Sequence, residues 1–511
     1  MSHPRGPLAE SLVRCGMVLG LVAGTAGAFL VARDLVRGSL ERRAPVQSLA
    51  APLPPATVPA AGQAVGCSAS NCHGHAVPAG PDLRPDDTWR WAATLVVRDS
   101  DPDPHANAWH VLTEPASIEM MRRFNSNLPE EKRVAAESSA RCLACHSHPA
   151  AAIAAEARSA GKPFDEEHFR RRTDGISCDT CHQDNARGEW RLEHVGWNDR
   201  TDREARYQSL ELPFLNDLPV RGRLCAGCHV GAAEINGGAV RREVDHDLIA
   251  AGHPPLGFEL LGSTRRLPKH WHERDCRVKA EDSQAAADRT MATWGSGQRA
   301  VLNASLDLME KDGRETTVWP EFAQMRCFGC HDGMGKGGGS ALRAGGTDGS
   351  SLWRRGVELQ SLFDSPPAPV EEFLHEWSRL ALKEDDVRRL IPEVRNALES
   401  HPASVDTLRK AIERLQQRNG GLERLTWDEA VWLRGALAAL EISRRKGGGA
   451  LDAEMERAFE ELDVALVADV SQDPGFLGIV TPRRYDPRST GAILAELIRK
   501  LQAVDPRLQS P

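Results

Sequence analysis

The chain has 511 residues, of which 41% are hydrophobic and 27% charged, a balance that is typical of globular proteins and excludes a wholly disordered chain. The formal net charge of −8 argues against a general nucleic-acid-binding protein. Aromatic residues make up only 5% of the chain, so we expect something other than phenylalanine and tyrosine to fill part of its interior.

The N-terminal segment 1–36 contains an uncharged run, CGMVLGLVAGTAGAFLVA, at residues 15–32. A membrane-spanning helix needs a run of about 18 apolar residues, and this run just reaches that length, so we expect a membrane anchor. A cleaved signal peptide is the alternative, with AGA at 26–28 as its cleavage site. We prefer the anchor because apolar residues continue beyond that site.

Residues 37–65 connect this segment to the rest of the chain. The stretch APVQSLAAPLPPATVPAAGQAV at 44–65 is rich in proline and alanine and carries no charge. This composition predicts an extended linker.

Ten of the twelve cysteines form five closely spaced pairs within residues 66–333, and a histidine directly follows each pair. Four of the groups have the pattern C-x-x-C-H, the attachment motif of c-type haem. In order along the chain, the groups are Cys67/Cys72/His73, Cys142/Cys145/His146, Cys178/Cys181/His182, Cys225/Cys228/His229 and Cys327/Cys330/His331.

The residue types in these groups match the chemistry of haem attachment. The two thiols form thioethers with the vinyl groups of a haem, and the histidine is placed to ligate the iron. Zinc is the competing interpretation, but it needs a second cysteine pair to complete its four ligands and no histidine directly after each pair. A disulfide framework does not require that histidine either. The five histidines therefore predict five covalently attached haem c groups, whose porphyrins would supply buried apolar surface.

The first group differs from the others because four residues separate Cys67 from Cys72. The two additional residues can bulge outwards while Cys72 and His73 keep the geometry that attachment needs. A disulfide or an unmodified pair is the alternative at this position.

A second protein ligand is usual for the iron of an electron-transfer haem. In DHDLIAAGHPP, His246 and His253 are seven residues apart. That spacing is nearly two helical turns, so a helix would place both imidazoles on one side, about 10 Å apart. Pro254 would end the helix. The separation suits ligands of two neighbouring irons and is too large for one.

The chain changes character after the last group. The stretch GMGKGGGSALRAGGTDGSS at 333–351 predicts a flexible linker over residues 334–364. Residues 365–511 then show helical patterns: VEEFLHEWSRLAL places Val370, Phe373, Leu374, Trp377 and Leu380 on one face. Thr426 and Glu429 form a capping-box pattern, and LDAEMERAFEELDVAL and GAILAELIRKLQAV are helical too. We expect a C-terminal helical domain without a cofactor.

Several stretches of residues 66–333 resemble the multihaem cytochrome c-552/4 family, whose relatives include the tetrahaem cytochrome c of ammonia oxidation and hydroxylamine oxidoreductase. The stretches are CSASNCHG, DPHANAW, GISCDTCH with WRLEHV, CAGCHVG with DHDLIAAGHPPLGFEL, LPKHW, and WPEFAQMRCFGCH. The family often opens with a long C-x-x-x-x-C-H motif. Its relatives often have a second histidine after the last motif, where this chain has Asp332, so we expect no ligand there.

The resemblance implies a fold and a set of distal iron ligands. The expected fold is mainly α, with a multihaem cytochrome c domain of closely packed haems and little regular sheet at 66–333, followed by the helical domain at 365–511. The distal ligands implied are His105, His194, His246, His253 and His270.

Electron transfer is the function that this arrangement favours, between partners such as periplasmic cytochromes or a membrane quinol-linked complex. The alternative is an oxidoreductase in which one open-coordination haem acts on a small nitrogen or sulfur compound or a peroxide. Hydroxylamine oxidoreductase uses a tyrosine crosslinked to its active haem, and neither Tyr207 nor Tyr485 lies in a matching motif. Five distal ligands favour a carrier, whereas four would leave one iron open. The patterns identify no catalytic residue.

Covalent haem attachment takes place outside the cytoplasm, so we expect the haem region on the periplasmic side of the cytoplasmic membrane, anchored by residues 15–32. The arginines that follow the apolar run would favour the opposite orientation by the positive-inside rule. They are Arg33, Arg37, Arg42 and Arg43. We give the haem requirement precedence because every attachment motif lies downstream of the run.

Overall fold

The computed structural model describes residues 104–182, 201–209, 213–234, 240–267, 283–315, 319–326, 353–378, 383–401, 404–418, 420–447, 449, 452–466 and 485–509. They lie within one compact unit, Ala61–Pro511. No helix in the described ranges is long and apolar enough to cross a membrane.

Several of the sequence predictions fall outside the described residues. Among them are the anchor or signal segment, the Pro/Ala-rich linker and residues 334–352 of the Gly-rich linker. The remainder of the Gly-rich linker is described, and it contains the helix Gly356–Ser361, in which Leu359 is buried. The first attachment group, the fifth attachment group and two of the distal ligands also lie outside the described residues, namely Cys67, Cys72, His73, Cys327, Cys330, His331, His194 and His270. Haem attachment at these two groups therefore stays a prediction from the sequence.

The expectation of a mainly α fold is confirmed. Helix accounts for 73% of the structure, and the described residues contain no strand. Extended pairing there is limited to two isolated antiparallel bridges, Ala232 with Arg242 and Met325 with Trp353.

The helices before residue 320 carry the haem-type motifs that the structure describes. Two short 3-10 segments, Pro104–Asn107 and His110–Thr113, precede them. The helices are α1 (Pro115–Phe124), α2 (Ala140–His146), α3 (Pro149–Ser159), α4 (Glu166–Arg170), α5 (Cys178–His182), α6 (Arg203–Ser209), α7 (Leu218–His229), α8 (His246–Ala251), α9 (Leu260–Arg266) and α10 (Ser283–Glu315).

The later helices form the C-terminal part of the structure. They are α11 (Gly356–Ser361), α12 (Ala368–Glu376), α13 (Glu384–Ser400), α14 (Val405–Gln417), α15 (Trp427–Lys446), α16 (Ala453–Leu466) and α17 (Pro487–Val504). The helical expectations for this part are confirmed where it is described. Val370, Phe373, Leu374 and Trp377 are buried, and the predicted capping box joins Thr426 to Glu429 at the start of α15. Leu380 lies outside the described residues.

The 33-residue helix α10 connects the motif-bearing helices to the C-terminal helices. It packs against α7 on one side and α15 on another. Leu302, Leu306 and Met309 belong to the large core of the C-terminal helices, whereas Ala300 and Val301 join a smaller core with Phe258. Full burial of each leucine side chain stabilises the folded state by about 1.5–3 kcal/mol relative to leaving it exposed.

The predicted domain boundary at 334–364 stays a prediction.

A close helix contact fixes α7 against α10. A Cβ added to Gly222 of α7 would lie 3.0 Å from the Ala300 Cβ and 3.2 Å from the Ser296 carbonyl oxygen of α10. The glycine therefore allows the two backbones to approach. As α7 ends in the fourth Cys-Cys-His group, this contact sets where that group lies.

Candidate haem-binding centre

The second attachment group occupies helix α2. Cys142 is buried and Cys145 is half-buried. The His146 Nδ1 lies 2.7 Å from the Ala108 carbonyl oxygen, which can only accept, so Nδ1 donates and Nε2 is left for a metal. Burial is the main cause that lowers the pKa of His146, against the opposing effect of the bond to Ala108. The imidazole is thus held neutral, the form that ligates iron.

The fourth group occupies the last two turns of α7. Cys225 and His229 are four residues apart and share one face of the helix. The His229 ring stacks on Phe258, with 5.1 Å between ring centroids and 21° between planes. Burial lowers the pKa of His229 as well. The phenylalanine therefore fixes the orientation of the His229 imidazole, the predicted proximal ligand, a role that the sequence patterns did not identify.

His105 and His229 are neighbours, with their rings in an edge-to-face arrangement. Their ring centroids are 6.1 Å apart and their planes lie at 83°. A metal–imidazole bond is about 2 Å long, so two imidazoles on opposite sides of one metal ion have centroids about 6 Å apart. The centroid separation is compatible with two imidazoles that would hold one iron, so these residues could accommodate the cofactor that the motif implies.

His253 lies near the proximal histidine of the second group. Its Nδ1 donates to the Pro254 carbonyl oxygen at 2.8 Å, which leaves Nε2 for a metal. Burial is the main cause that lowers its pKa, and the charge of His146 acts on it in the same direction. The two imidazoles are thus close enough for their charges to interact, and the assignment of His253 as a distal ligand stays a prediction from the family resemblance.

The expected continuous helix through His246 and His253 is wrong. Helix α8 ends at Ala251 because Gly252 adopts a φ of 125°, a conformation that favours glycine, and His253 follows outside the helix. The backbone N–H of His246 donates to Glu321 at 2.9 Å, and its ring meets Phe322 edge-on at 5.7 Å. His246 therefore contacts the described segment 319–326, which leads to the fifth group. The fifth group itself lies outside the described residues.

The second and fourth groups are neighbours in space. The Cys145 and Cys228 thiols interact with each other, and this interaction raises the pKa of Cys145 and lowers that of Cys228. Arg242 lies beside both and donates through Nε to the Ala144 carbonyl oxygen at 2.6 Å. Two attachment sites that are distant in sequence therefore share one edge.

The third group occupies helix α5, and the structure describes it only in part. Cys181 and His182 are the last two residues of the helix, and both are half-buried. The side chain of Cys178 lies outside the described residues, and so does His194, which follows this group in the family resemblance. The pairing of His182 with a distal ligand therefore stays a prediction.

The described cysteines of the attachment groups form no disulfide with one another. This holds for both members of the second and fourth groups and for the second cysteine of the third: Cys142, Cys145, Cys225, Cys228 and Cys181. The finding is compatible with thioether formation at these positions, and the rejection of a disulfide framework stays an inference from the sequence.

Asp179 lies between the two cysteines of the third group. It is only 6% exposed; it accepts a hydrogen bond from the Ser177 hydroxyl and pairs with the Arg171 guanidinium. Burial by itself would raise the pKa of Asp179, but Ser177, His148 and Arg171 together outweigh burial and lower it. The ionised carboxylate thus ties α5 to the turn that carries Arg171.

His148 is a histidine near the motifs that is already engaged. Its Nδ1 accepts from the Ala150 N–H at the start of α3, and its Nε2 lies 3.7 Å from Asp179. In the described ranges, no group of three or more histidine, cysteine, aspartate or glutamate side chains could hold a metal ion. A haem iron takes only two protein ligands, so the relevant feature here is a facing pair.

No protein-family model matches this chain, and no curated protein or solved structure is significantly similar to it. The resemblance to the multihaem cytochromes therefore depends on the motifs quoted above.

Proposed function

We propose that this chain is a multihaem c-type cytochrome that carries electrons between redox partners through five covalently attached haems. The observation that carries the proposal is the proximity of His105 to His229, whose ring centroids are 6.1 Å apart, because these two imidazoles could together hold one iron. Both residues were candidate ligands on sequence grounds, one as a proximal and one as a distal histidine.

The protein residues have two roles in this proposal. The cysteines would hold each cofactor covalently, and the paired histidines would ligate its iron and so exclude water and substrates from the metal. Each haem supplies a one-electron Fe(III)/Fe(II) couple when bound. The Cys145–Cys228 contact supports closely spaced cofactors in the second and fourth groups, as transfer from site to site requires.

The proposal also covers the location of the protein and its redox partners. Residues 15–32 would anchor the chain, with its haem region on the periplasmic side of the cytoplasmic membrane. The partners would be other redox proteins, either periplasmic cytochromes or a membrane quinol-linked complex. An oxidoreductase with one open-coordination haem is the competing function.

Low-temperature EPR of the oxidised, membrane-extracted protein discriminates between these functions. We expect low-spin signals that account for all five haems, because two imidazoles impose a strong ligand field on each iron. A high-spin signal equivalent to one haem would instead support the oxidoreductase. The signal is integrated against the total iron measured in the same sample.

A further inference from the structure

Backbone hydrogen bonds hold Arg242 next to the fourth attachment group. Its N–H and carbonyl pair with those of Ala232, at 3.0 and 2.9 Å. Gly231, two residues after His229, has a φ of 142°, and a Cβ there would lie 2.7 Å from the Arg242 carbonyl oxygen. Only glycine at 231 allows this approach, so the loop after α7 fixes the backbone from which the Arg242 side chain extends.

The side chain of Arg242 reaches between two attachment groups. Its Nε donates to the carbonyl oxygen of Ala144, which lies inside the second group, CLACH. Its Nη1 would be 3.5 Å from a Cβ added to Gly227, which lies inside the fourth group, CAGCH. Its charge acts on both Cys145 and Cys228.

The charge of Arg242 has no carboxylate partner within ion-pair distance in the described part of the chain. Other arginines of this region do have carboxylate partners: Arg241 pairs with Glu243 at 2.8 Å, and Arg141 pairs with Asp245. Arg242 is only partly exposed. A charge that is partly removed from water and not neutralised acts over a longer distance than an exposed, paired one.

We propose, on the basis of the haem-carrying function above, that Arg242 is a positioning and redox-tuning residue shared by the second and fourth haems, and that it raises the reduction potential of both. The oxidised iron carries one more positive charge than the reduced iron, so a fixed cation nearby destabilises Fe(III) more than Fe(II). Reduction adds one electron, supplied by the redox partner, and the arginine exchanges neither an electron nor a proton.

The test is a spectroelectrochemical titration of the full-length, haem-loaded protein and three variants. Arg242→Gln removes the charge, and we expect two of the five midpoint potentials to shift to more negative values. Arg242→Lys keeps the charge but loses the bond from Nε, so its shift should be much smaller. Arg133→Gln is the matched control, because Arg133 also donates through Nε to a backbone carbonyl, that of Leu128, but is exposed to solvent. It should leave all five potentials unchanged.

Haem content and the low-spin EPR signal are measured on the same samples. Unchanged potentials in a five-haem Arg242→Gln variant would overturn the inference, as would equal shifts in the Gln and Lys variants. If the Gln variant does not accumulate, Arg242→Met tests the same loss of charge with the aliphatic stem retained. A wild-type protein without covalent haem would refute the proposed function instead, so the two failures are distinguishable.

Discussion

Replacing His105 with alanine is expected to convert one haem of five from low spin to high spin while all five stay covalently attached. The thioethers and the proximal His229 remain, so the cofactor is kept. In the proposed arrangement the iron would lose the His105 imidazole, whose ring centroid is 6.1 Å from that of His229, and it would become five-coordinate or bind water. EPR of the oxidised variant measures the conversion, and the potential of that haem should shift as well, since the axial ligand sets it.

His110→Ala is the matched control for this experiment. His110 lies in the neighbouring 3-10 segment, where its ring meets Trp109 edge-on at 5.3 Å, and it is not among the predicted ligands. Its loss should leave the spin states unchanged. His253→Ala should convert a second, different haem, so the double variant of His105 and His253 should convert two. A His105→Ala variant that stays fully low-spin would contradict the pairing.

The second large effect is expected from Asp179→Asn. The substitution leaves the Arg171 guanidinium without its buried partner, and the carboxylate contact that remains in the described part of the chain is the longer one, 3.7 Å to Asp174. Breaking a buried ion pair from one side costs about 3–5 kcal/mol, and the remaining contact favours the lower end, about 3 kcal/mol. Urea unfolding followed by haem absorbance should show a lower midpoint.

Two further variants show whether the unpaired charge is the cause. The double variant Arg171→Met with Asp179→Asn removes both charges, so it should recover most of the stability. Glu119→Gln removes the carboxylate that pairs with Arg122 and Arg123 at the protein surface, and it should change the midpoint much less than Asp179→Asn. A single Asp179→Asn variant as stable as the wild type would show that the buried pair contributes nothing.

The C-terminal helices were predictable from local patterns. The capping box at Thr426 and the buried face of Val370, Phe373 and Leu374 both depend on residues within about one or two turns of each other, which a sequence displays directly. Helix α8 was predicted too long because its end depends on the positive φ of Gly252, one residue before His253. Glycine occurs both inside helices and at their ends, so the residue pattern around Gly252 did not show whether the helix continues to His253 or ends before it.

The candidate site was predictable from the sequence only where its features are local. The Cys-Cys-His groups are local, so their spacing alone predicts all five, and haem attachment at them stays a prediction. The pairing of His105 with His229 and the position of Arg242 depend on contacts between distant segments; Arg242 lies 98 residues from its partner Ala144. No periodicity reports such contacts, and an isolated arginine between two haem motifs has no distinguishing sequence signal.

The central claim is covalent attachment of five haems, and the intact mass of the mature protein tests it most directly. The account predicts a mass that exceeds the polypeptide by five haem masses, with the ten paired cysteines blocked to thiol reagents. An excess of four with Cys67 and Cys72 unmodified would contradict the interpretation of the first group. A mass equal to that of the polypeptide alone would contradict the account as a whole.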